Sequence, residues 1–461
     1  MSKLKITIED LFEIPASEIL NPDSFKEALN VSADSRNILR DSIFVAIKGE
    51  SFDGHDFVEE AAKKGATAVV INRSEIDRFD NIDITIVTVD DTTLAFGHLA
   101  SIWRNKLKAK IVSVTGSNGK TSTKEMLASV LAEKYKVSKT TANNNNHIGV
   151  PLTILGADEK CGVLVLEQGT NHFGEIEYSA KISRPDFALI TNIGDSHLEF
   201  LINREGVYRE KAALFTETIK NKGICFVNTD DPVIKKNASK IKNKITFGFT
   251  GRPDVKGEIL GYTSDGKPII SVTHKKYEIA LVLPVYGASN AKNFLAVCAV
   301  AFKLGLTPAH ILEGAEKLKD TKGRLQASKH NGFILFDDTY NSNPASVEAG
   351  VEVLDNITCY DNKLIILGDM LELGKKEEKL HKDLYKVVPN RKNYTVLTIG
   401  PLMKNLSASL KKNINRKHFE SRDELKSFLR KYDFTGSAVL VKGSRGMKME
   451  EFVNTITGRG E

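Results

Sequence analysis

One ammonium, two glycines and a cluster of hydroxyls fall within a single short run of the chain, Thr115-Gly116-Ser117-Asn118-Gly119-Lys120-Thr121-Ser122. The apolar run IVSVT precedes it and the amphipathic stretch TSTKEMLASVLAEKY follows. A strand, a glycine loop and a helix start in that order form a phosphate cradle. The glycines let backbone N–H groups close around phosphate oxygens, and the helix start adds its positive dipole end. Lys120 supplies a point charge for a transferring phosphate, and the Thr121 hydroxyl suits Mg²⁺. The full Walker pattern would have glycine six residues before the lysine, where Val114 stands. The loop is therefore the shortened GxxGKT form, which speaks for a nucleotide and no more.

Two further strand ends carry polar groups. Glu167 closes GVLVLE, and a carboxylate at a strand tip beside a phosphate loop can ligate the nucleotide's Mg²⁺. His197 lies in TNIGDSH after the run FALI, and Lys211 lies in the helical stretch GVYREKAALF. A lone histidine is usually structural and a helix lysine usually solvated, so their residue types alone give them no role.

The elements that must position these groups follow from composition and pattern. With 41% hydrophobic and 27% charged residues, the 461-residue chain is globular, and its length calls for about three domains. Its 33 glycines and 12 prolines exclude collagen-like and low-complexity classes. The net charge of +6, from 65 basic and 59 acidic residues, is a mild excess that suits a small anionic substrate better than a nucleic-acid groove. Cys161, Cys225, Cys298 and Cys359 have no metal or redox spacing and read as reduced thiols. MSKLKITIEDLFEI has acidic residues where a secretion signal needs an apolar core, and no apolar stretch approaches about 18 residues. A cytoplasmic protein without membrane insertion is expected.

IVSVTG, GVLVLE, FALITN and GICFVN alternate with helical segments, the pattern of a parallel sheet covered on both faces. KITFGF, PIISVT and YEIALVLP, between Lys244 and Pro284, read as antiparallel hairpins on its edge. After Gln326, FILFDD, KLIILGD, YTVLTIG and AVLVKG form a second βα series with the look of a small doubly wound domain. Open α/β sheets bind ligands beyond the carboxyl ends of their strands, where Thr115, Glu167, Thr191, Asp337, Gly368 and Lys442 stand. The basic stretches near Lys375 and Lys411 read as solvated helix faces.

TGSNGKTSTKEML, LEQGTNHFGEI, RPDFALITNIGDSHLEFL, GASNAKN, KGRLQ, DDTYNSNPAS, LGDMLELG and VLVKGSRGMKMEE occur in the order found in the Mur ligases, and the chain resembles that family over nearly its whole length. DDTYNSNPAS and LGDMLELG are closest to the D-alanyl-D-alanine-adding branch. The resemblance implies a three-domain α/β ligase: a small α/β UDP-binding domain (1–107), a central phosphate-loop ATPase domain (108–326) and a C-terminal Rossmann-like domain (327–461). It implies an ATP-dependent reaction that joins D-alanyl-D-alanine to the terminal carboxylate of UDP-N-acetylmuramoyl-tripeptide, acting as a monomer with no nucleic-acid partner.

By matching position, Gly116 to Ser122 would hold the ATP phosphates, and Thr121 and Glu167 a Mg²⁺. His197 would serve a second Mg²⁺ with Lys211, the latter as a carbamate made from CO₂. Asn290 and Asn293 correspond to asparagines near adenine, Arg324 to an arginine at the domain joint, and Asp338 and Tyr340 to further nucleotide contacts. Ser289 stands where the family often has histidine. Asn143, Asn145, Asn146 and His172 are the implied contacts of the muramoyl peptide, and Ser35, Arg36, Lys48, Asp53 and His55 those of the UDP. Asn341 and Asn343 would lie near the dipeptide, with Lys442 and Arg445 neutralising phosphate or a carboxylate.

Three alternatives fit the same loop. Another Mur ligase or a folylpolyglutamate synthase shares the central machinery, but no DNPR string occurs here and folylpolyglutamate synthases lack the UDP-binding domain. A phosphate-loop NTPase switch would turn over ATP without an amine acceptor. A catalytically dead nucleotide-binding module would not be expected to keep Lys120, Thr121, Glu167, His197 and Lys211 together.

Overall fold

The computed structural model describes residues 4–458 and contains three sheets in chain order. The first has five strands, β1 (Glu18–Leu20), β2 (Asn30–Ser32), β3 (Ser42–Val45), β4 (Ala66–Asn72) and β5 (Thr85–Val89), in the order β1-β5-β4-β3-β2. β4 is buried along nearly its whole length, as an ATAVVI run between two parallel neighbours should be. The helix Thr92–Lys106 then lies against the central domain. Its Phe96, Leu99 and Trp103 share one apolar core with Val45, Val70, Ile111, Ile154 and Leu164, so the first sheet is packed onto the second without a linker.

The central sheet has nine strands: β6 (Lys110–Thr115), β7 (Val137–Lys139), β8 (Val163–Glu167), β9 (Phe187–Ile190), β10 (Ile224–Asn228), β11 (Lys244–Gly248), β12 (Val255–Tyr262), β13 (Pro268–His274) and β14 (Tyr277–Val282). Its order is β14-β13-β12-β11-β10-β9-β6-β8-β7. The helices Lys120–Leu131 and Ala288–Lys303 cover one face, and Glu175–Ser183 and Arg204–Lys220 the other. Only β12, β13 and β14 pair antiparallel with one another. β11, the KITFGF run, is parallel to both β10 and β12, which corrects its reading as a hairpin strand.

The third sheet comprises β15 (Gln326–His330), β16 (Phe333–Asp338), β17 (Asn362–Gly368), β18 (Tyr394–Ile399), β19 (Asn415–Phe419) and β20 (Ser437–Lys442), ordered β15-β16-β20-β17-β18-β19. β16 to β20 run parallel, and β15 is antiparallel to β16. The basic stretch after Lys411 leads into the exposed edge strand β19 and not into a helix face. The carboxyl ends of β6, β8 and β9 and those of β16, β17 and β20 border a common cleft of about 740 Å³. Among the described residues no helix is long and apolar enough to cross a membrane.

Candidate active site

Strand register sets the geometry of the cleft floor. Val114 pairs with Glu167, and Thr115 with Ile190, so the loop after β6, the Glu167 carboxylate and Thr191 leave the sheet at one level. The loop is clamped by the residues after β9. Asn192 accepts the Ser117 N–H on its carbonyl (3.0 Å) and the Asn118 N–H on its side chain (3.0 Å). The Thr191 hydroxyl donates to the Asn118 carbonyl at 2.6 Å. Gly116 has φ +150, and a Cβ there would lie 1.9 Å from Thr191 Oγ1. Gly119, at φ +81, is backed by Asn293, whose Oδ1 would meet an added Cβ at 2.6 Å. Both glycines are therefore required by shape.

The helix Lys120–Leu131 has no side-chain cap, so its first N–H groups are left for an external acceptor. With Ser117 and Asn118 N–H already used by Asn192, these first-turn groups are the free part of the cradle. Lys120 folds back over the loop, donating to the Gly116 carbonyl at 2.7 Å. Burial, with the Arg324 charge, brings its pKa down to about 8 against the pull of Glu167. An anion in the cradle would favour the charged form further.

Glu167 is 1% exposed. Its Oε1 accepts from the Thr121 hydroxyl (3.0 Å) and from Asn145 Nδ2 (2.9 Å), while Oε2 is buried without a hydrogen-bond partner. Among the described residues no three His, Cys, Asp or Glu side chains form a metal cluster. Mg²⁺ takes one or two carboxylates and keeps waters and phosphate oxygens, and the buried Glu167 carboxylate, whose Oε2 has no hydrogen bond, is a group such an ion could serve. The separation of Thr121 Oγ1 and Glu167 Oε1 equals the roughly 3 Å between adjacent ligands of an octahedral ion with about 2.1 Å bonds.

Lys211, on Arg204–Lys220, is 1% exposed and makes no hydrogen bond or ion pair with any described residue. Burial, together with the Lys120 charge, drives its pKa well below the usual lysine value, so the neutral amine that could take up CO₂ is accessible. Its neighbour Glu210 accepts the Gly174 and Ile176 N–H groups (2.7 and 2.8 Å) and the Thr170 hydroxyl (3.2 Å), holding the loop after β8. Sequence reasoning missed Glu210, because a glutamate in a helix carries no local sign of burial.

Two contacts join the central and C-terminal tips. Asn343 Nδ2 donates to Asn118 Oδ1 at 2.8 Å. His197 Nδ1 lies 2.9 Å from Glu372 Oε2, an ion-pair distance without the alignment of a formed hydrogen bond. Both His197 and Glu372 have positive φ, 52° and 62°, in loops aimed at each other. Glu372 belongs to the LGDMLELG segment, where nothing in the residue pattern sets it apart from its neighbours.

Other expected residues divide clearly. Asn290, Asn293, Arg324, Asp338, Tyr340, Asn341 and Asn343 line the cleft, as do Ser117, Asn118, Gly119, Lys120, Ser122, Asn145, Glu167 and His197. Arg324 lies over the Tyr340 ring at 4.0 Å. Lys442 also borders the cleft, but it is 1% exposed and paired with Asp338 at 2.6 Å. It also donates to the Asn341 carbonyl at 2.9 Å, so it is not a free cation for phosphate or a carboxylate. Asp338 accepts the Leu325 N–H at 3.1 Å, which makes this pair a strut between β16, β20 and the domain joint. Arg445 is exposed, pairs with Glu450 and does not line the cleft.

Asn146 Oδ1 accepts the Ile148 and Gly149 N–H groups (3.2 and 2.8 Å) at the entry to the helix Gly149–Leu155. Asn143 serves the same loop through its carbonyl, which accepts the Asn145 N–H. His172 is exposed against Phe200 and outside the cleft wall. In the first domain His55 is 4% exposed, with Nδ1 on Asp53 (2.6 Å) and Nε2 accepting the Asn72 N–H (2.9 Å). Both ring nitrogens are engaged within the fold. Ser35 is buried and gives its carbonyl to Lys64, while Arg36 and Lys48 are exposed and paired with Asp34 and Asp53.

Comparison with known proteins agrees along the whole chain. The "Mur ligase family, catalytic domain" matches residues 28–104, the "Mur ligase middle domain" residues 114–301, and the "Mur ligase, glutamate ligase domain" residues 323–445. The chain is 34% identical over 458 residues to the UDP-N-acetylmuramoyl-tripeptide–D-alanyl-D-alanine ligase of Bacillus subtilis (strain 168), covering 98% of each chain. It is 32% identical to the ligase of that name from Escherichia coli (strain K12), covering 99% of each. A crystal structure of MurF from Acinetobacter baumannii superposes with a TM-score of 0.88 at 29% identity, covering 99% of this chain and 100% of that one. The Thermotoga maritima MurF ligase in complex with ADP gives 0.82 at 28% identity, covering 93% and 97%.

Proposed function

The chain belongs to the Mur ligase family and is an ATP-dependent ligase that forms C–N bonds, and from that premise we propose the part each cleft residue takes in the reaction. The reaction joins D-alanyl-D-alanine to the terminal carboxylate of UDP-N-acetylmuramoyl-tripeptide, with ATP as the energy source. A carboxylate is a poor electrophile. Its oxygen therefore attacks the γ-phosphorus of ATP, ADP leaves, and the resulting acyl phosphate is open to the dipeptide amine, which expels phosphate.

The first step brings two anions together, so positive charge must meet the γ-phosphate. Lys120 and the uncapped first turn of Lys120–Leu131 supply it, without reorganising as charge moves. Thr121 and Glu167 would hold a Mg²⁺, and His197 with carbamylated Lys211 a second; when bound, such ions neutralise phosphate charge. Carbamylation would turn the lone buried amine of Lys211 into an oxygen donor. Asn290, Asn293, Arg324 and Tyr340 form the wall for the nucleoside, and Asn145 and Thr170 the side facing the muramoyl peptide.

The second step must exclude water, which would destroy the acyl phosphate. Asn343 and Glu372 reach from the C-terminal tips to Asn118 and His197, and we assign them the closing contacts over the filled site. The ATP requirement supports a cytoplasmic setting. The observation that carries the reading is the joint one: an uncapped phosphate loop and a buried carboxylate on one set of strand tips, facing a second set across a single cleft.

The test is incubation with UDP-N-acetylmuramoyl-tripeptide, ATP and Mg²⁺, with and without D-alanyl-D-alanine, following phosphate and pentapeptide together. Product that appears only with the dipeptide, in step with phosphate, is expected. Phosphate release indifferent to the dipeptide would overturn the reading.

A further inference from the structure

Lys124 lies one helical turn beyond Lys120, on a helix whose exposed lysines would ordinarily be solvated, yet it is 1% exposed. A buried ammonium needs partners. This one donates to the Thr140 carbonyl at 2.9 Å and pairs with Glu125 Oε1 at 3.0 Å. Its third neighbour is Glu167 Oε2 at 3.8 Å, the oxygen that has no hydrogen bond of its own. Glu125 is shared with Lys139, so two cations and two carboxylates form a linked row from the buried Glu167 to the partly exposed Lys139.

Thr140 ties this set to the backbone. Its carbonyl takes Lys124, its hydroxyl oxygen accepts the Glu167 N–H at 3.0 Å, and its own N–H donates to Val165 at 3.0 Å. The loop that follows delivers Asn145 to Glu167 Oε1 at 2.9 Å and accepts the Gly169 N–H on the Asn145 carbonyl at 2.8 Å. Lys124 thus faces the inner oxygen of Glu167 and anchors the loop that holds its outer oxygen.

We infer that Lys124 is a positioning residue for nucleotide-bound Mg²⁺: its ammonium occupies the inner side of Glu167 and leaves Oε1 facing the Thr121 hydroxyl. The inference rests on the reading of Glu167 as a metal ligand. Lys124 touches neither nucleotide nor substrate and acts only through Glu167 and Thr140. Without its charge, a buried carboxylate keeps one oxygen with no cation, and the side chain turns to find other donors. Groups that orient a metal ligand typically change metal affinity by about ten- to a hundredfold when removed.

The experiment is calorimetric binding of ADP to the full chain, once with Mg²⁺ and once with a chelator, for the wild type, Lys124→Gln, Lys124→Met, Glu167→Gln and the Lys124→Gln/Glu167→Gln double variant. Glutamine keeps a donor for the Thr140 carbonyl, so its loop stays anchored even if Lys124→Met fails to fold. Lys124→Gln is expected to weaken Mg²⁺-ADP roughly ten- to a hundredfold and to leave metal-free ADP unchanged. In the Glu167→Gln background the same change should add little, since both act through one carboxylate. An Mg²⁺ response in Lys124→Gln equal to that of the wild type overturns the inference. So does an equal loss with and without metal, which would mean damage to the fold alone. If Glu167→Gln keeps the full Mg²⁺ response, the metal role of Glu167 falls and the inference with it, whereas dipeptide-independent turnover by the wild type would strike the ligase reading alone.

Discussion

Replacing Lys442 by methionine isolates one buried charge at the tip of β20. In the native chain the ammonium lies 2.6 Å from Asp338, with Lys442 1% and Asp338 8% exposed. Removing one partner of such a pair costs about 3–5 kcal/mol, because the remaining charge stays buried without compensation. Asp338 keeps only the Leu325 N–H and the more distant Arg324 charge. Burial already raises the Asp338 pKa, and Lys442 is the main influence holding it down, so the variant's folded pKa climbs further above the unfolded value. A folded pKa above the unfolded one means that the folded state gains stability as the proton binds. The penalty is therefore full at pH values above the raised pKa. It shrinks as pH falls below that pKa, by about 1.4 kcal/mol for each pH unit, until the unfolded pKa is reached.

Amide exchange of β16 and β20 reads this locally, which matters because a three-domain chain need not unfold in two states. At pH 8 the opening rate should rise roughly a hundred- to a few thousandfold over the wild type after correction for intrinsic exchange. Near pH 5 the ratio should be clearly smaller. Pairing Lys442→Met with Asp338→Leu should return much of the protection, since an apolar pair of similar volume replaces the ion pair. A penalty identical at both pH values, or below about 1 kcal/mol, would refute the claim that this pair is a dry strut.

Three other outcomes follow from the cleft. Gly119→Ala should fold but lose nucleotide binding, because its Cβ would meet Asn293 Oδ1 at 2.6 Å in a backbone at φ +81; calorimetry with ADP checks this, and unchanged affinity would contradict the geometry. Lys120→Ala should lower kcat about a hundred- to a thousandfold, the usual cost of removing one preorganised positive donor, with melting temperature preserved; near-native turnover in the coupled phosphate assay would sink the charge argument. Asn343→Ala removes both the bond to Asn118 and the cap of the helix Pro344–Asp355. It should cost about 1 kcal/mol of C-terminal stability and reduce the compaction on adding ATP and substrate, measured by small-angle scattering.

The contiguous parts of the site were legible because their chemistry is local. The phosphate loop, its strand and its helix occupy neighbouring residues, and glycine positions can be read from what backbone must do there. The apolar runs of β6, β8, β9, β16, β17 and β20 announced themselves for the same reason. Pairing direction did not. β11 is parallel, yet nothing in KITFGF says which neighbour it meets, because that is decided by the β10 and β12 edges packed under the helix Ala288–Lys303. β12 escaped notice since VKGEILGY is interrupted by two glycines and half exposed. Polar residues were the least legible of all. His55, Asn146 and Lys442 look like ligands for a substrate, but each meets other protein groups in the fold, and the Asn72 and Asp338 that meet His55 and Lys442 lie far along the chain.

The same argument explains why partners, and not residue type, separate the lysines around the cleft. Lys124, Lys211 and Lys442 are enclosed around the cleft, and Lys120 is half-buried at its floor. Lys124 and Lys442 are matched by carboxylates, which makes them fixed parts of the frame. Lys120 rests on backbone carbonyls that a phosphate can outcompete, and Lys211 has no hydrogen-bonding partner among the described residues. A buried amine without a hydrogen-bonded counter-ion is costly unless it is neutral or is converted to something else. The cleft therefore holds two lysines fixed by carboxylate partners and two that face the reactants, and of the second pair it is Lys120 whose positive charge lets an anionic peptide end approach ATP.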